Sequence, residues 1–202
     1  MKNGFIYPFI RGLINCFYVL NIVEWWKEIY IAIRRTDREN LIKSYNEAID
    51  LFIFFKYLFL IYLYIEVDSK KYMYLVTYLI ISNIFTYFYY HVWEKKEGVC
   101  RERDQRRFIS LILSILYSNI CFGYLYKISI SNFDPFLKNI SINLKTVYAS
   151  FMTSFGSTLT PVTENGFLLI FLNVAINMLF IVIILSNTSI SDIKKDEVNN
   201  VK

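Results

Sequence analysis

The segment from Ser150 to Gly166, SFMTSFGSTLTPVTENG, concentrates small and hydroxyl-bearing residues between two long apolar runs. It contains one proline and two glycines, and the apolar spacing of a helix does not continue through it. If this backbone enters a membrane between two helices, its polar groups must be buried in protein or line a water-filled cavity. This segment is therefore the first place in the chain to look for chemistry.

The sequence contains no recognisable catalytic constellation. Its one histidine, His91, lies among aromatic residues at the end of an apolar run, which favours a boundary position over acid–base catalysis. The carboxylates Asp68, Asp134 and Glu164 are scattered, and no phosphate loop or nucleophile motif occurs. The three cysteines are widely spaced and odd in number, which indicates reduced thiols. The sequence predicts no enzyme, no metal site and no cofactor.

The elements that position the Ser150–Gly166 segment are predicted to be membrane helices. The chain has 202 residues, of which 55% are hydrophobic, too many for a small soluble core. A hydrocarbon core of about 30 Å needs roughly 20 apolar residues in a helix. Four windows meet this requirement: residues 47–67, 72–93, 108–128 and 167–186. Aromatic residues gather toward the ends of the second and third windows, as in a membrane-interface belt.

The first 46 residues mix aromatic and charged side chains. Trp25 and Trp26 stand among the charges of EWWKE, and each charge would cost about 3 kcal/mol at the centre of a membrane. This pattern predicts an amphipathic helix near Glu24 to Arg35 that lies along the cytoplasmic face. A fifth membrane span over residues 5–33 is the alternative.

Charge predicts the topology. Basic residues cluster in residues 1–46 and 94–107, which the positive-inside bias places in the cytoplasm. Residues 68–71 and 129–166 then lie outside, and the tail 187–202 returns inside. This is a multi-pass plasma-membrane protein with both termini cytoplasmic. Because the net charge of +5 arises from these clusters, we expect no nucleic-acid partner.

The outer segment has structure of its own. ISINLKTVYASFMT, at residues 140–153, is long enough for three or more helical turns, with Asn139 or Ser141 as the candidate N-cap. The Ser150–Gly166 segment then returns without helical periodicity. A helix that enters the membrane part way, followed by irregular backbone that returns to the same side, is the physical description of a pore loop.

From about Arg107 to Ser186 the chain resembles the two-helix pore module of the potassium channel superfamily. TPVTENGFLLIFLNVAINMLFIVIIL, from Thr160 to Leu185, is similar to the filter exit and inner helix of small bacterial members. KTVYASFMT stands where their pore helix stands. With the four windows, the resemblance implies an all-α membrane protein: four transmembrane helices, a re-entrant pore helix and an N-terminal interfacial amphipathic helix.

This organisation divides the chain into five parts. They are an interfacial segment (1–46), a two-helix hairpin (47–93), a basic linker (94–107), the pore module (108–186) and a short tail (187–202).

The resemblance implies that the filter-like loop is the ion pathway. The family's usual element is Thr-Val-Gly-Tyr-Gly-Asp, and the better alignment puts Ser154, Phe155, Gly156 and Ser157 on Gly-Tyr-Gly-Asp. In either of two registers the first glycine is replaced, and a carbonyl ladder requires backbone dihedrals that glycine adopts without penalty. The resemblance therefore implies weak discrimination between K⁺ and Na⁺, with side-chain hydroxyls among the oxygen ligands. The ion-pathway residues are Thr153, Ser154, Phe155, Gly156, Ser157 and Thr158.

The inner helix also departs from the family. Asn177 takes the place of the usual hinge glycine, and Asn173 lies one turn earlier on the same face. Amides that face lipid are costly, so these two residues should line the pore or form a hydrogen bond between subunits.

The resemblance implies a homotetramer in the lipid bilayer, with K⁺ or Na⁺ as the permeant ion. It also allows for a gating partner of unknown identity. The alternative is a non-conducting assembly protein, or a toxin-like pore that depolarises the cell. Ion flux separates these possibilities.

Overall fold

The computed structural model describes residues 5–19, 21–34, 41–66, 69–89, 101–134, 142–156 and 159–200. These residues are helical apart from short turns, and among them an isolated β-bridge joins Phe133 to Pro161. The chain divides into two compact units, residues 1–62 and residues 63–202. The prediction of an all-α chain is confirmed.

The first unit contains three helices: α1 (Ile6–Val19), α2 (Ile22–Arg34) and α3 (Leu41–Glu66), whose last turn belongs to the second unit. Helix α2 agrees with the helix predicted near Glu24 to Arg35, and a break before it separates it from α1. Asn21 accounts for the break, because its side-chain oxygen accepts a hydrogen bond from the Val23 amide at 3.2 Å and caps α2. Arg35 lies outside the described residues.

Helix α2 runs antiparallel to the first half of α3. The Trp26 indole donates to the Ala48 carbonyl at 2.8 Å, and Arg34 forms an ion pair with Glu47. Within α2, Lys27 bonds to Glu24 at 2.6 Å. These ion pairs lower the free-energy cost of placing charged side chains in the hydrocarbon core, and the interfacial prediction depends on that cost. The interfacial position stays a prediction.

The second unit is built from α4 (Met73–Phe88), α5 (Arg101–Ile128), α6 (Ile142–Thr153) and α7 (Glu164–Asn200). Among the described residues, three helices are long and apolar enough to cross a membrane, which fits a membrane protein. They cover Lys43–Glu66, Phe108–Ile128 and Glu164–Ile184, and agree with three of the four sequence windows. Helix α4 has 16 residues, and residues 90–93 of its window lie outside the described ranges.

A lysine near the end of α5 joins that helix to the last turn of α3. Lys127, in the last turn of α5, donates from its ammonium to the carbonyl of Tyr64 in the last turn of α3 at 2.9 Å. A cation is favoured at a helix C-terminus, and here one ammonium serves two of them. The last turn of α3, which belongs to the second unit, therefore lies against the last turn of α5.

Four aromatic residues of the third window are buried within the protein and do not form a lipid-facing belt. Tyr117, Phe122, Tyr124 and Tyr126 are all at least 98% buried within the protein. The Tyr64 and Tyr124 rings meet edge to face, with 5.6 Å between their centroids. Helix α5 is the central helix of the unit, and its rings pack against neighbouring helices.

Candidate functional site: a buried amide network and the loop that leaves it

Helix α6 lies against α5 and α7 and extends along about the last third of α5. Gly123 of α5 leaves space for it, because a Cβ at this position would lie 3.0 Å from the Val147 Cα. The Ser150 hydroxyl, one turn further along α6, donates to the Asn119 side-chain oxygen at 3.4 Å. Asn119 stands nine residues before the end of α5 at Ile128, which is roughly 13 Å of helix. The C-terminal end of α6 therefore lies deep inside the unit.

The chain then returns to the end of α5. The Asp134 amide donates to the Thr160 carbonyl at 3.0 Å, and the Val162 amide donates to the Asn132 carbonyl at 2.9 Å. The residues just after α5 are thus paired with the residues just before α7. A chain of six residues, the length of 155–160, can cover about 20 Å when it is extended, which exceeds the roughly 13 Å along α5 from Asn119 to its end.

Gly156 allows the turn at the deep end. Its φ of +130° lies in the region that favours glycine, and a Cβ there would meet nothing within 4 Å. The last turn of α6 tightens before it, since the Phe155 amide donates to the Met152 carbonyl at 3.0 Å. Helix α6 ends and the backbone reverses within three residues of Thr153.

Asn119 joins α5, α6, α7 and the start of the loop. Its side-chain nitrogen donates to the Ile115 carbonyl and to the Asn177 side-chain oxygen, both at 3.0 Å. Its side-chain oxygen lies 3.4 Å from the Ser150 hydroxyl and 3.5 Å from the Ser154 hydroxyl. The residue is 1% exposed. One amide therefore satisfies polar groups from four parts of the chain, as buried polar groups require.

Asn173 and Asn177 complete this network. The Asn173 nitrogen donates to the Ser150 carbonyl at 3.0 Å and to the Tyr126 hydroxyl at 3.1 Å. The Asn177 nitrogen donates to the Asn173 side-chain oxygen at 2.8 Å. The two residues share one face of α7, and their amides bond within the chain, an arrangement that sequence reasoning did not anticipate. Pore lining and an inter-subunit hydrogen bond stay predictions.

A second buried amide joins α4 to α5 on a different face of α5. The Asn83 nitrogen donates to the Ser118 hydroxyl at 3.0 Å, and the Ser114 hydroxyl donates to the Asn83 oxygen at 2.6 Å. Ser114 and Ser118 are fully buried. These bonds join α4 to α5, so the cluster offers a comparison with the Asn119 network.

The predicted ion-pathway residues divide between the interior and the surface. Thr153 is buried and donates to the Ala149 carbonyl at 2.7 Å, and the Ser154 hydroxyl faces Asn119. Phe155 is 83% exposed and Gly156 is exposed. The loop thus turns two hydroxyls inward and presents Phe155 and the glycine backbone outward.

Several predicted positions fall outside the part of the chain that the structure describes. They are the loop residues Ser157 and Thr158, the N-cap candidates Asn139 and Ser141, and His91.

Sequence reasoning missed Asn119 as the centre of the site. It stands in LYSNICFGYLY, where the aromatic residues suggested a membrane boundary. The available signal was the polar group Ser114, Ser118 and Asn119 in the middle of an apolar window, since polar residues inside a span need partners. Its partner Asn177 lies 58 residues away, and local pattern does not identify that contact.

A scan against protein-family models, curated proteins and solved structures found no match to this chain.

Proposed function

We propose that this chain is the pore-forming subunit of a cation channel, assembled from four identical copies and weakly selective between K⁺ and Na⁺. The observation that carries the proposal is the course of α6 and of the residues before α7. Helix α6 runs from Val147 beside Gly123 to Ser150 beside Asn119, away from the end of α5, and residues 160–162, just before α7, pair with residues 132–134, just after α5. Such a path inside a membrane is tolerated where it is covered by protein or borders water.

The direction of α6 supports cations as the permeant species. Its C-terminal end, which carries partial negative charge, lies at the deep end of the path. Half-helices whose carbonyl ends point into a membrane cavity stabilise cations there. The Ser154 hydroxyl anchors the loop to Asn119, and the backbone carbonyls of residues 154–156 supply oxygen ligands.

A tetramer also requires exposed surface on each chain for contact between the copies. Phe155, together with Phe167 and Phe171 of α7, is more than half exposed within one chain. In a tetramer the re-entrant loops meet around the axis and α7 lines or borders it. Helix α4 provides the fourth span of the proposed topology.

The test is ion flux through the purified full-length chain in liposomes of phosphatidylcholine and phosphatidylglycerol. We expect K⁺ and Na⁺ flux above protein-free liposomes, and a reversal potential close to zero with K⁺ on one side and Na⁺ on the other. Strong K⁺ selectivity would contradict weak discrimination. No flux would contradict the channel and favour the non-conducting alternative.

Two glycine variants provide the matched comparison. A Cβ at Gly156 or at Gly12 meets nothing within 4 Å, but only Gly156 has a positive φ. Forcing an L-residue into a left-handed conformation costs about 1–2 kcal/mol, so Gly156→Ala should change the flux per mole of protein by about tenfold. Gly12→Ala should leave it unchanged. Equal flux from both variants would show that the loop geometry does not control conduction.

A further inference from the structure

The contacts of Asn119 suggest a role for this residue in the pore. We propose that Asn119, although it lies on α5 and outside the filter-like loop, sets the ion discrimination of the pore by positioning Ser154. This inference rests on the proposed function and deepens it, because it assigns the control of selectivity to a residue that no family pattern in the sequence indicates.

Ser154 is the first residue after α6 and takes the first filter-glycine position in the better alignment. Its hydroxyl has two acceptors within reach, the Asn119 side-chain oxygen and the Ser150 carbonyl, each at 3.5 Å. A serine cannot adopt the dihedrals of a filter glycine without penalty. The direction of its carbonyl therefore depends on where its side chain is held, and the acceptor from another helix is Asn119.

Asn119 can hold Ser154 only because its other atoms are fixed. Its nitrogen is bonded to Ile115 of its own helix and to Asn177 of α7. Its oxygen accepts from the Ser150 and Ser154 hydroxyls and also lies 3.5 Å from the Asn177 nitrogen. An amide is the group that supplies a donor to one side and an acceptor to the other. Aspartate would keep the size and the acceptors but lose the donor, and would set oxygen against the Asn177 oxygen.

Asn83 is the matched control. It is also a buried asparagine that bonds to α5, through Ser114 and Ser118, and it is 7% exposed. Substitution at either position disturbs a buried amide that joins two helices. Asn119 bonds to Ser150 and Ser154, whereas the bonds of Asn83 described above go to Ser114 and Ser118 of α5, so a change of selectivity at Asn119 separates positioning of the loop from general loss of packing.

The experiment measures the K⁺ to Na⁺ permeability ratio of the full-length chain in planar bilayers, for Asn119→Asp, Asn119→Gln, Asn83→Asp and Asn83→Gln. The ratio is independent of how much protein folds, so reduced yield changes the current and leaves the ratio intact. Loss of one neutral hydrogen bond corresponds to about a fivefold change in an equilibrium. We expect a shift of about two- to fivefold for Asn119→Asp, partial recovery for Asn119→Gln, and the wild-type ratio for both Asn83 variants.

The outcomes separate the two proposals. Wild-type flux with the same permeability ratio in all four variants overturns the role of Asn119 and leaves the channel intact. Equal shifts at Asn119 and Asn83 overturn it too, because a general packing effect then explains the change. Absence of flux in the wild-type chain overturns the channel itself.

Discussion

Replacement of Asn173 by leucine tests the interior of the second unit. Leucine has a similar size and removes the donor to the Ser150 carbonyl, the donor to the Tyr126 hydroxyl and the acceptor for the Asn177 nitrogen. Inter-helix hydrogen bonds of membrane proteins average about 0.6 kcal/mol each, so three of them contribute about 2 kcal/mol. For a chain of this size that free energy corresponds to a loss of roughly 4–8 °C in Tm.

The assay is thermal unfolding of the purified full-length chain in detergent, with Met178→Leu as the control. Met178 is 54% exposed on the same helix, so its replacement should change Tm by no more than about 1 °C. A double-mutant cycle of Asn173→Leu with Ser150→Ala then isolates their contact, for which we expect a coupling of about 0.5–1 kcal/mol. Equal Tm values for Asn173→Leu and Met178→Leu would refute the reasoning, because they would mean that the amide does not form these bonds within one chain.

Three further substitutions test other parts of the structure. Gly123→Val should lower Tm, because even the Cβ would lie 3.0 Å from the Val147 backbone and overpacking costs about 1–3 kcal/mol. The control is Gly12→Val, since Gly12 lies in open space. Equal Tm values for the two variants would refute the close approach of α5 and α6. Gly166→Ala should lower Tm as well, since its Cβ would stand 2.6 Å from the Asn132 carbonyl oxygen, and protease cleavage near residue 160 should become faster. A cysteine introduced by Asn3→Cys should react with a membrane-impermeant thiol reagent only from the cytoplasmic side; reaction from outside would show that the N-terminal segment spans the membrane.

The sequence predicts the long helices well and the contacts between them poorly. Apolar length alone locates the helices around residues 108–128 and 167–184, because a membrane span must be about 20 apolar residues long. The spacing of Asn173 and Asn177 predicts their common face, which their 2.8 Å hydrogen bond confirms.

Other features depend on partners that are distant in sequence. The Tyr124 ring is buried against Tyr64, although its place near the end of a window suggested a belt. The ion pair of Arg34 in α2 with Glu47 in α3 likewise joins residues that a local sequence pattern does not pair. The role of Asn119 depends on Asn177 in the same way, since neither residue specifies the other.

The two polar faces of α5 have a consequence for the synthesis of the chain. The partner of Ser114 and Ser118 is Asn83, which is already made when α5 emerges from the ribosome, whereas the partner Asn177 of Asn119 follows 58 residues later. At roughly 5–20 residues per second this interval is about 3–12 s. During that time α5 can leave the insertion machinery for lipid only with an Asn119 amide that lacks its bond to Asn177, so we expect the translocon to retain α5 until α7 arrives. A nascent chain that stops before Asn173 should accordingly remain cross-linkable to the translocon, whereas one that extends past Asn177 is released.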